Sequence, residues 1–203
     1  MKRLLLVRHG EVEPRDIFYG QLDVPLSARG LEQARTVAAS LAGLALGAVH
    51  CSDLSRAVDG ATLIAAPHGL TPQPSPAFRE MSLGVLEGLA RAEGLRRLPE
   101  AATTRYRDMW SRRFPGGENL ADVEARVWPA LQPILDGAQP ERPVVLVAHN
   151  SVNRVVLGRV LGLTIDRIFD FEQDFGCVNI VDFGSDGGRV TLLNWTPGAP
   201  GRR

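Results

Sequence analysis

Three short apolar runs, each ending abruptly in polar residues, constrain this chain more than any other feature. Leu4 to Val7 stops at Arg8-His9-Gly10-Glu11, Ala48 to Cys51 at Ser52-Asp53, and Val144 to Val147 at Ala148-His149-Asn150. Apolar runs without alternation read as strands buried on both faces, the pattern of a parallel sheet covered by helices. Helical segments are expected between them. Ser27 is an N-cap candidate before Leu31, Ala34, Val37, Ala38 and Leu41, which recur at helical spacing. Arg56 to Ala66 is Ala-rich and helix-compatible, and a further helix is expected from about Val152 to Leu161. Asn119 is a second N-cap candidate, before Leu120, Val123, Val127, Leu131 and Ile134; Pro129 and Pro133 should kink or shorten that helix. Pro67 to Pro76 reads as a connection. Val178 to Phe183 and Val190 to Trp195 read as a hairpin.

The expected fold is therefore α/β, a three-layer α/β/α sandwich with a mostly parallel central sheet. A chain of 203 residues suits one domain, expected over residues 1–196, with a charged helical insertion at about 87–113 and a disordered tail at 197–203. The 23 basic and 23 acidic residues cancel, which argues against a broadly basic surface and a nucleic-acid partner. No apolar segment is long enough to span a membrane, and the run after Arg3 is too short for a signal peptide, so a cytoplasmic protein without a membrane partner is expected. Cys51 and Cys177 lie in apolar runs and read as buried, inert thiols of a reducing compartment. Lys2 is the only lysine among the 23 basic residues. Codon bias accounts for that skew, although arginine also serves as a bidentate anion clamp where lysine is weaker.

In open α/β sheets, ligands bind at the carboxyl ends of the strands. That rule brings together Arg8-His9, the Ser52 to Arg56 segment and His149, although Arg56 and His149 lie 47 and 140 positions beyond His9. A lone histidine after a strand is more often structural than catalytic; two at converging strand ends are less ordinary. Zinc is the weaker reading, because no third ligand has metal-like spacing and the neighbouring arginines would repel a cation. No metal or cofactor is expected. Arginine plus histidine suits an anion, phosphate above all. A neutral imidazole nitrogen can attack phosphorus to give a phosphohistidine, while guanidinium forks and a second imidazole offset the oxygen charge. A carboxylic acid must then protonate the leaving alkoxide.

Leu6-Val7-Arg8-His9-Gly10-Glu11 resembles the signature of the histidine phosphatase superfamily, in the branch that includes cofactor-dependent phosphoglycerate mutases. The resemblance continues in order through Gly20 to Ser27 with Gly30 and Gln33-Ala34, Ser52 to Ala57, Arg79 to Gly84 with Glu87-Gly88, Pro115 to Asn119, and Val147 to His149. It implies that His9 is the nucleophile, attacking through Nε2 while Nδ1 is held by a main-chain carbonyl, and that Glu80 is the proton donor. Arg8, Arg56 and His149 would hold the phosphoryl group, with Gln21 and the backbone N–H of Asn150 as further substrate contacts; Glu11 either lines the pocket or caps the following loop. Arg15 stands where the family often has asparagine, and Leu86 where it often has tryptophan. The 69 positions from Glu80 to His149 are fewer than in the family's mutases, which favours net hydrolysis. Val152-Asn153-Arg154 and Phe169 to Ile180 are similar to the alpha-ribazole phosphatases of the family, making alpha-ribazole 5'-phosphate the candidate substrate.

The expected activity is thus metal-independent hydrolysis of a small-molecule phosphate ester. A cofactor-dependent phosphoglycerate mutase and a non-catalytic phospho-ligand binding module are the alternatives, and the complete residue set argues against the second. A homodimer is allowed. His50 reads as a core residue, His68 has no evident partner, and Arg91, Arg96, Arg97, Arg105, Arg107, Arg112 and Arg113 read as a solvated helix face.

Overall fold

The computed structural model describes residues 1–99, 108, 110–164 and 167–198. Strands β1 (Lys2–Arg8), β2 (Ala48–Ser52), β3 (Gln73–Ser75), β4 (Val144–Ala148), β5 (Val178–Gly184) and β6 (Gly187–Trp195) form one sheet in the order β3-β2-β4-β1-β5-β6. The first four positions of that order pair in parallel, and β5 runs antiparallel to both its neighbours. Helices α1 (Ala28–Leu41) and α2 (Ser55–Ala65) supply one covering layer. The other is supplied by α4 (Leu120–Gly137) and α5 (Asn150–Val160), while α3 (Arg91–Arg97) lies in the charged segment.

The unalternating run in β1 is buried because both layers claim it. Leu4 and Leu6 pack with Leu120, Val123, Val127 and Val152, whereas Leu5 and Val7 pack with Val37, Leu41, Ala57 and Ala61. Burial of each such side chain stabilises the fold by roughly 1.5–3 kcal/mol before entropy is counted. Ser27 caps α1, its Oγ accepting the Gly30 N–H at 3.0 Å. Asn119 and Asp122 form a capping box at α4, each side chain accepting the other's backbone N–H.

Several expectations are corrected. Of the two effects expected of Pro129 and Pro133, shortening does not occur: helix α4 runs through both. The two prolines are four residues apart on the exposed side, so water can reach the carbonyls they leave unpaired. The connection from Pro67 to Pro76 contains β3, whose Pro74 is tolerated because the strand is short and at the sheet edge. The last hairpin is tighter than expected, with only Ser185-Asp186 between its strands. His50 is half-buried in β2 rather than a core residue, since it lines a cavity shared with Gln73, Pro133 and Gly137. Within the insertion, α3 is helical; Arg96 and Arg97 pair with Glu93, and Arg113 with Asp122. Positions 100–107 and 109, including Arg105 and Arg107, lie outside the described residues. Pro197-Gly198 form a turn beside Thr36, and positions 199–203 of the expected tail also lie outside. Among the described residues, no helix is long and apolar enough to cross a membrane.

Candidate active site

The parallel strands end side by side, with Arg8 in register with Ala148 and Cys51 with Val147. The residues just beyond each strand emerge at the same edge of the sheet: His9 after β1, Arg56 in the first turn of α2, and His149 as the N-cap residue of α5. The His9 and His149 ring centroids are 5.0 Å apart. The main chain at His9 is fixed from both sides, its N–H donating to Ala148 O at 3.0 Å and its carbonyl accepting from the Gly176 N–H at 3.1 Å. Gly10 and Gly30 let this turn lie directly against the start of α1. A Cβ on Gly10 would stand 2.2 Å from Gly30 O, and one on Gly30 would stand 1.9 Å from Glu11 O.

Both histidines are buried, at 2% and 0% exposure. His9 Nδ1 lies 2.6 Å from Gly10 O. A neutral ring making that contact carries its hydrogen on Nδ1 and keeps a lone pair on Nε2. Burial pushes the His9 pKa well below its ordinary 6.5, and the Arg56 and Arg8 charges push the same way. For His149 burial again leads, followed by His9, Arg56 and Arg8.

Neither guanidinium is paired with a carboxylate in these contacts. Arg56, fully buried, donates through Nη1 to Leu22 O at 2.9 Å and through Nη2 to Gly20 O at 2.6 Å. Burial pushes its pKa down, while Glu80, Tyr19, Asp23 and Glu87 oppose the shift. Arg8 donates to the Gln173 carbonyl, and its guanidinium carbon lies 3.9 Å from the Phe175 ring centroid. Arg8 Nε, Arg56 Nε and both ring nitrogens of His149 are buried without a partner among the described residues. Each such nitrogen costs on the order of 1–3 kcal/mol unless a ligand meets it. Their chemistry, cationic forks beside neutral imidazoles, fits an oxygen-rich anion.

Local contacts explain the placement. Asp23 substitutes for a side-chain cap on α2, accepting at 2.8 Å from both the N–H and Oγ of Ser55, one residue before Arg56. Asp53 binds Arg79 bidentately at 2.7 and 2.6 Å, tying the exit of β2 to the segment that presents Glu80. Glu80 Oε1 accepts the N–H of Met81 at 2.8 Å and that of Ser151 at 3.1 Å. The carboxylate thus lies at the positive end of α5, two residues past His149.

The other expected contacts have different neighbours. The Gln21 amide is turned to Glu80 O and Glu118 Oε2, at 3.0 and 3.2 Å. Glu11 is buried, accepts from Ser27 Oγ at 3.1 Å and pairs with Arg15 at 3.1 Å, so it ties the loop after β1 to α1. Asn150 opens α5, and its side-chain oxygen accepts from Arg154 Nε at 2.8 Å. Sequence reasoning missed Ser151 as the donor to Glu80, and Gln173 and Phe175 as the supports of Arg8. Gln173 is itself held by buried amides, Asn153 and Asn179, at 3.0 and 2.7 Å. Its segment carried part of the resemblance, but a contact through a main-chain carbonyl leaves no mark in residue type.

Among the described residues, no group of three or more His, Cys, Asp or Glu side chains could hold a metal ion. Cys51 and Cys177 are buried, and burial pushes both thiols up to about 11.

The two depressed imidazoles predict a pH dependence of stability. Below pH 6.5 the unfolded chain takes up protons that the folded rings refuse, so folding stability is complete above that value and declines as the pH falls. Each ring contributes a slope of up to about 1.4 kcal/mol per pH unit. Urea unfolding between about pH 7 and pH 5.5 should show the decline, and His149→Ala should flatten it. A stability independent of pH over that window would contradict the neutral assignment.

The sequence model for the Histidine phosphatase superfamily (branch 1) matches residues 4–196. The chain is 28% identical over 195 residues to the adenosylcobalamin/alpha-ribazole phosphatase of Escherichia coli, covering 95% of each chain. It is 33% identical over 195 residues to a 2,3-bisphosphoglycerate-dependent phosphoglycerate mutase of Methylobacterium radiotolerans, covering 92% of each. A mycobacterial glucosyl-3-phosphoglycerate phosphatase solved in complex with VO3 superposes with a TM-score of 0.86 at 28% identity, covering 96% of this chain and 99% of that one.

Proposed function

The chain belongs to the histidine phosphatase superfamily, branch 1, and is a phosphoric monoester hydrolase; we propose that it works without a metal, through a phosphohistidine on His9. The observation that carries this reading is the cluster of buried, unpartnered nitrogens on Arg8, Arg56 and His149 beside a histidine whose Nδ1 is held at Gly10 O. His9 Nε2 attacks phosphorus as the ester P–O bond breaks, and Glu80 gives its proton to the leaving oxygen. Arg8, Arg56 and His149 hold the equatorial oxygens, where negative charge must be offset. Glu80, now a carboxylate, takes a proton from water; the oxygen attacks phosphorus, the P–N bond breaks, and His9 is restored. The N–H groups opening α5 are available to the phosphoryl group only in part, because Ser151 is occupied by Glu80.

Alpha-ribazole 5'-phosphate is the substrate we assign first, supported by the near full-length match to the Escherichia coli enzyme of that name. A mutase-named relative aligns over 92% of its own length, so the spacing from Glu80 to His149 does not by itself separate hydrolysis from transfer. A phosphate-release panel separates them directly. Alpha-ribazole 5'-phosphate, glucosyl-3-phosphoglycerate and 3-phosphoglycerate are compared with and without excess EDTA. The first should give the highest kcat/KM, and chelation should leave it unchanged. Interconversion of phosphoglycerates with a bisphosphate primer and no phosphate release would replace the hydrolase with a mutase.

A further inference from the structure

Glu80 is held by its main chain as well as by its carboxylate, and the second hold leads to Glu118. This half-buried residue follows the Pro115-Gly116-Gly117 turn, which lies against the Ser82 main chain: a Cβ on Gly117 would stand 2.7 Å from Ser82 O. Glu118 N–H donates to Ser82 O at 2.9 Å, and Ser82 N–H donates back to Glu118 Oε2 at 2.9 Å. The same Oε2 accepts from Arg126 Nη2 at 2.9 Å and from Gln21 Nε2 at 3.2 Å, while Oε1 accepts from Arg126 Nε at 2.8 Å. Both of those side chains reach onward to Glu80 O, each at 3.0 Å, and Arg126 Nη1 binds Ala77 O at 2.8 Å. One carboxylate therefore organises two donors from separate elements, α4 and the loop after β1, around the main chain that carries Glu80. Burial alone would raise the Glu118 pKa; hydrogen bonds from Arg126 and Ser82 outweigh it and hold the pKa below the ordinary carboxylate value.

We propose that Glu118 is a positioning residue for Glu80, fixing the main chain at residues 80–82 so that the Glu80 carboxyl faces the leaving oxygen. The inference rests on the reading of Glu80 as proton donor. Four N–H groups from three residues converge on Glu118, three on Oε2 and one on Oε1, and only a carboxylate accepts them all. Glutamine has nearly the same shape but offers one oxygen, and its amide hydrogens would have to face other donors. The effect should fall on proton transfer, where a misplacement of about 1 Å can cost on the order of a hundredfold.

Leaving-group dependence separates positioning from general support of the fold. para-Nitrophenoxide departs from phosphorus without a proton, whereas the alkoxide of β-glycerophosphate needs one. The experiment compares kcat/KM on the two esters for wild type, Glu118→Gln and Glu80→Gln, with the inhibition constant of inorganic phosphate as a measure of the phosphoryl cradle. Glu118→Gln should lower kcat/KM for β-glycerophosphate by roughly thirtyfold more than for para-nitrophenyl phosphate, with phosphate inhibition within about threefold of wild type. Glu80→Gln should show the same selectivity, larger. Equal losses on both esters, or phosphate binding weakened as much as turnover, would overturn the positioning role. Selectivity in Glu80→Gln without any in Glu118→Gln overturns this inference alone; no selectivity in Glu80→Gln removes the proton-donor reading, and this inference with it. Should Glu118→Gln fail to fold, Gln21→Ala removes one of the two donors to Glu80 O and should show a smaller selectivity of the same sign, its absence being equally decisive.

Discussion

His9→Ala should reduce kcat by at least about four orders of magnitude while inorganic phosphate still binds. The separation of the two effects is a consequence of the geometry. In the proposed mechanism the ring supplies the attacking lone pair and the guanidinium groups of Arg8 and Arg56 meet the phosphoryl oxygens; both are anchored independently of the His9 side chain. The main-chain bonds of His9 to Ala148 and Gly176 do not involve the ring, so the turn should persist in the variant. Phosphate release under saturating substrate gives the loss, and competitive binding of phosphate reports the intact cradle. Turnover near the wild-type rate in His9→Ala would remove His9 as nucleophile.

Arg56→Met should damage both activity and stability. Activity falls because one of the two cations proposed to face the phosphoryl group is gone; removal of a comparable transition-state contact costs about a hundredfold to a thousandfold. Stability falls because the Gly20 carbonyl loses its buried donor, at roughly 1–3 kcal/mol, a loss offset in part because Met no longer buries a charge and an unpartnered Nε. The loop from Tyr19 to Pro25 carries Gln21 and the Asp23 cap of α2, so its release also disturbs the neighbours of Glu80. Urea unfolding and kcat/KM on one ester measure the two losses separately. Arg56→Met should also shrink the decline of stability below pH 6.5, because the Arg56 charge helps to hold both His9 and His149 neutral. Arg56→Lys should not restore function, since a compact ammonium lacks the planar fork whose Nη1 and Nη2 reach two separate carbonyls.

The central strands, and the meeting of Arg8, His9, Arg56 and His149 at one edge of the sheet, were legible in the sequence for a single reason. Leu4 to Val7, Ala48 to Cys51 and Val144 to Val147 lack alternation, so they had to lie inside a covered parallel sheet, whose strand ends converge. The edge strand β3 was not legible, because Gln73-Pro74-Ser75 carries no apolar pattern and takes its conformation from β2. Continuation of α4 through Pro129 and Pro133 was hidden for the opposite reason. A local rule against proline gave way to a buried stripe that extends to Leu135 and a solvated back. Gln21 meets Glu118 and the Glu80 carbonyl, partners that its residue type does not announce, while Glu11 meets Ser27 and Arg15, as its loop-capping alternative expects. Arg8 and Arg56 are anchored by the carbonyls of Gln173, Gly20 and Leu22. Any residue offers a carbonyl, so such partners cannot be read from residue type.

Trapping the covalent intermediate tests the mechanism most directly. The enzyme is mixed with para-nitrophenyl phosphate, quenched in alkali within a turnover, digested and analysed by mass spectrometry. Attack by His9 predicts one phosphoryl group on the peptide that contains His9, lost on exposure to acid and absent from His9→Ala. A phosphoryl group on His149 or Glu80 instead would contradict the assignment of nucleophile and proton donor.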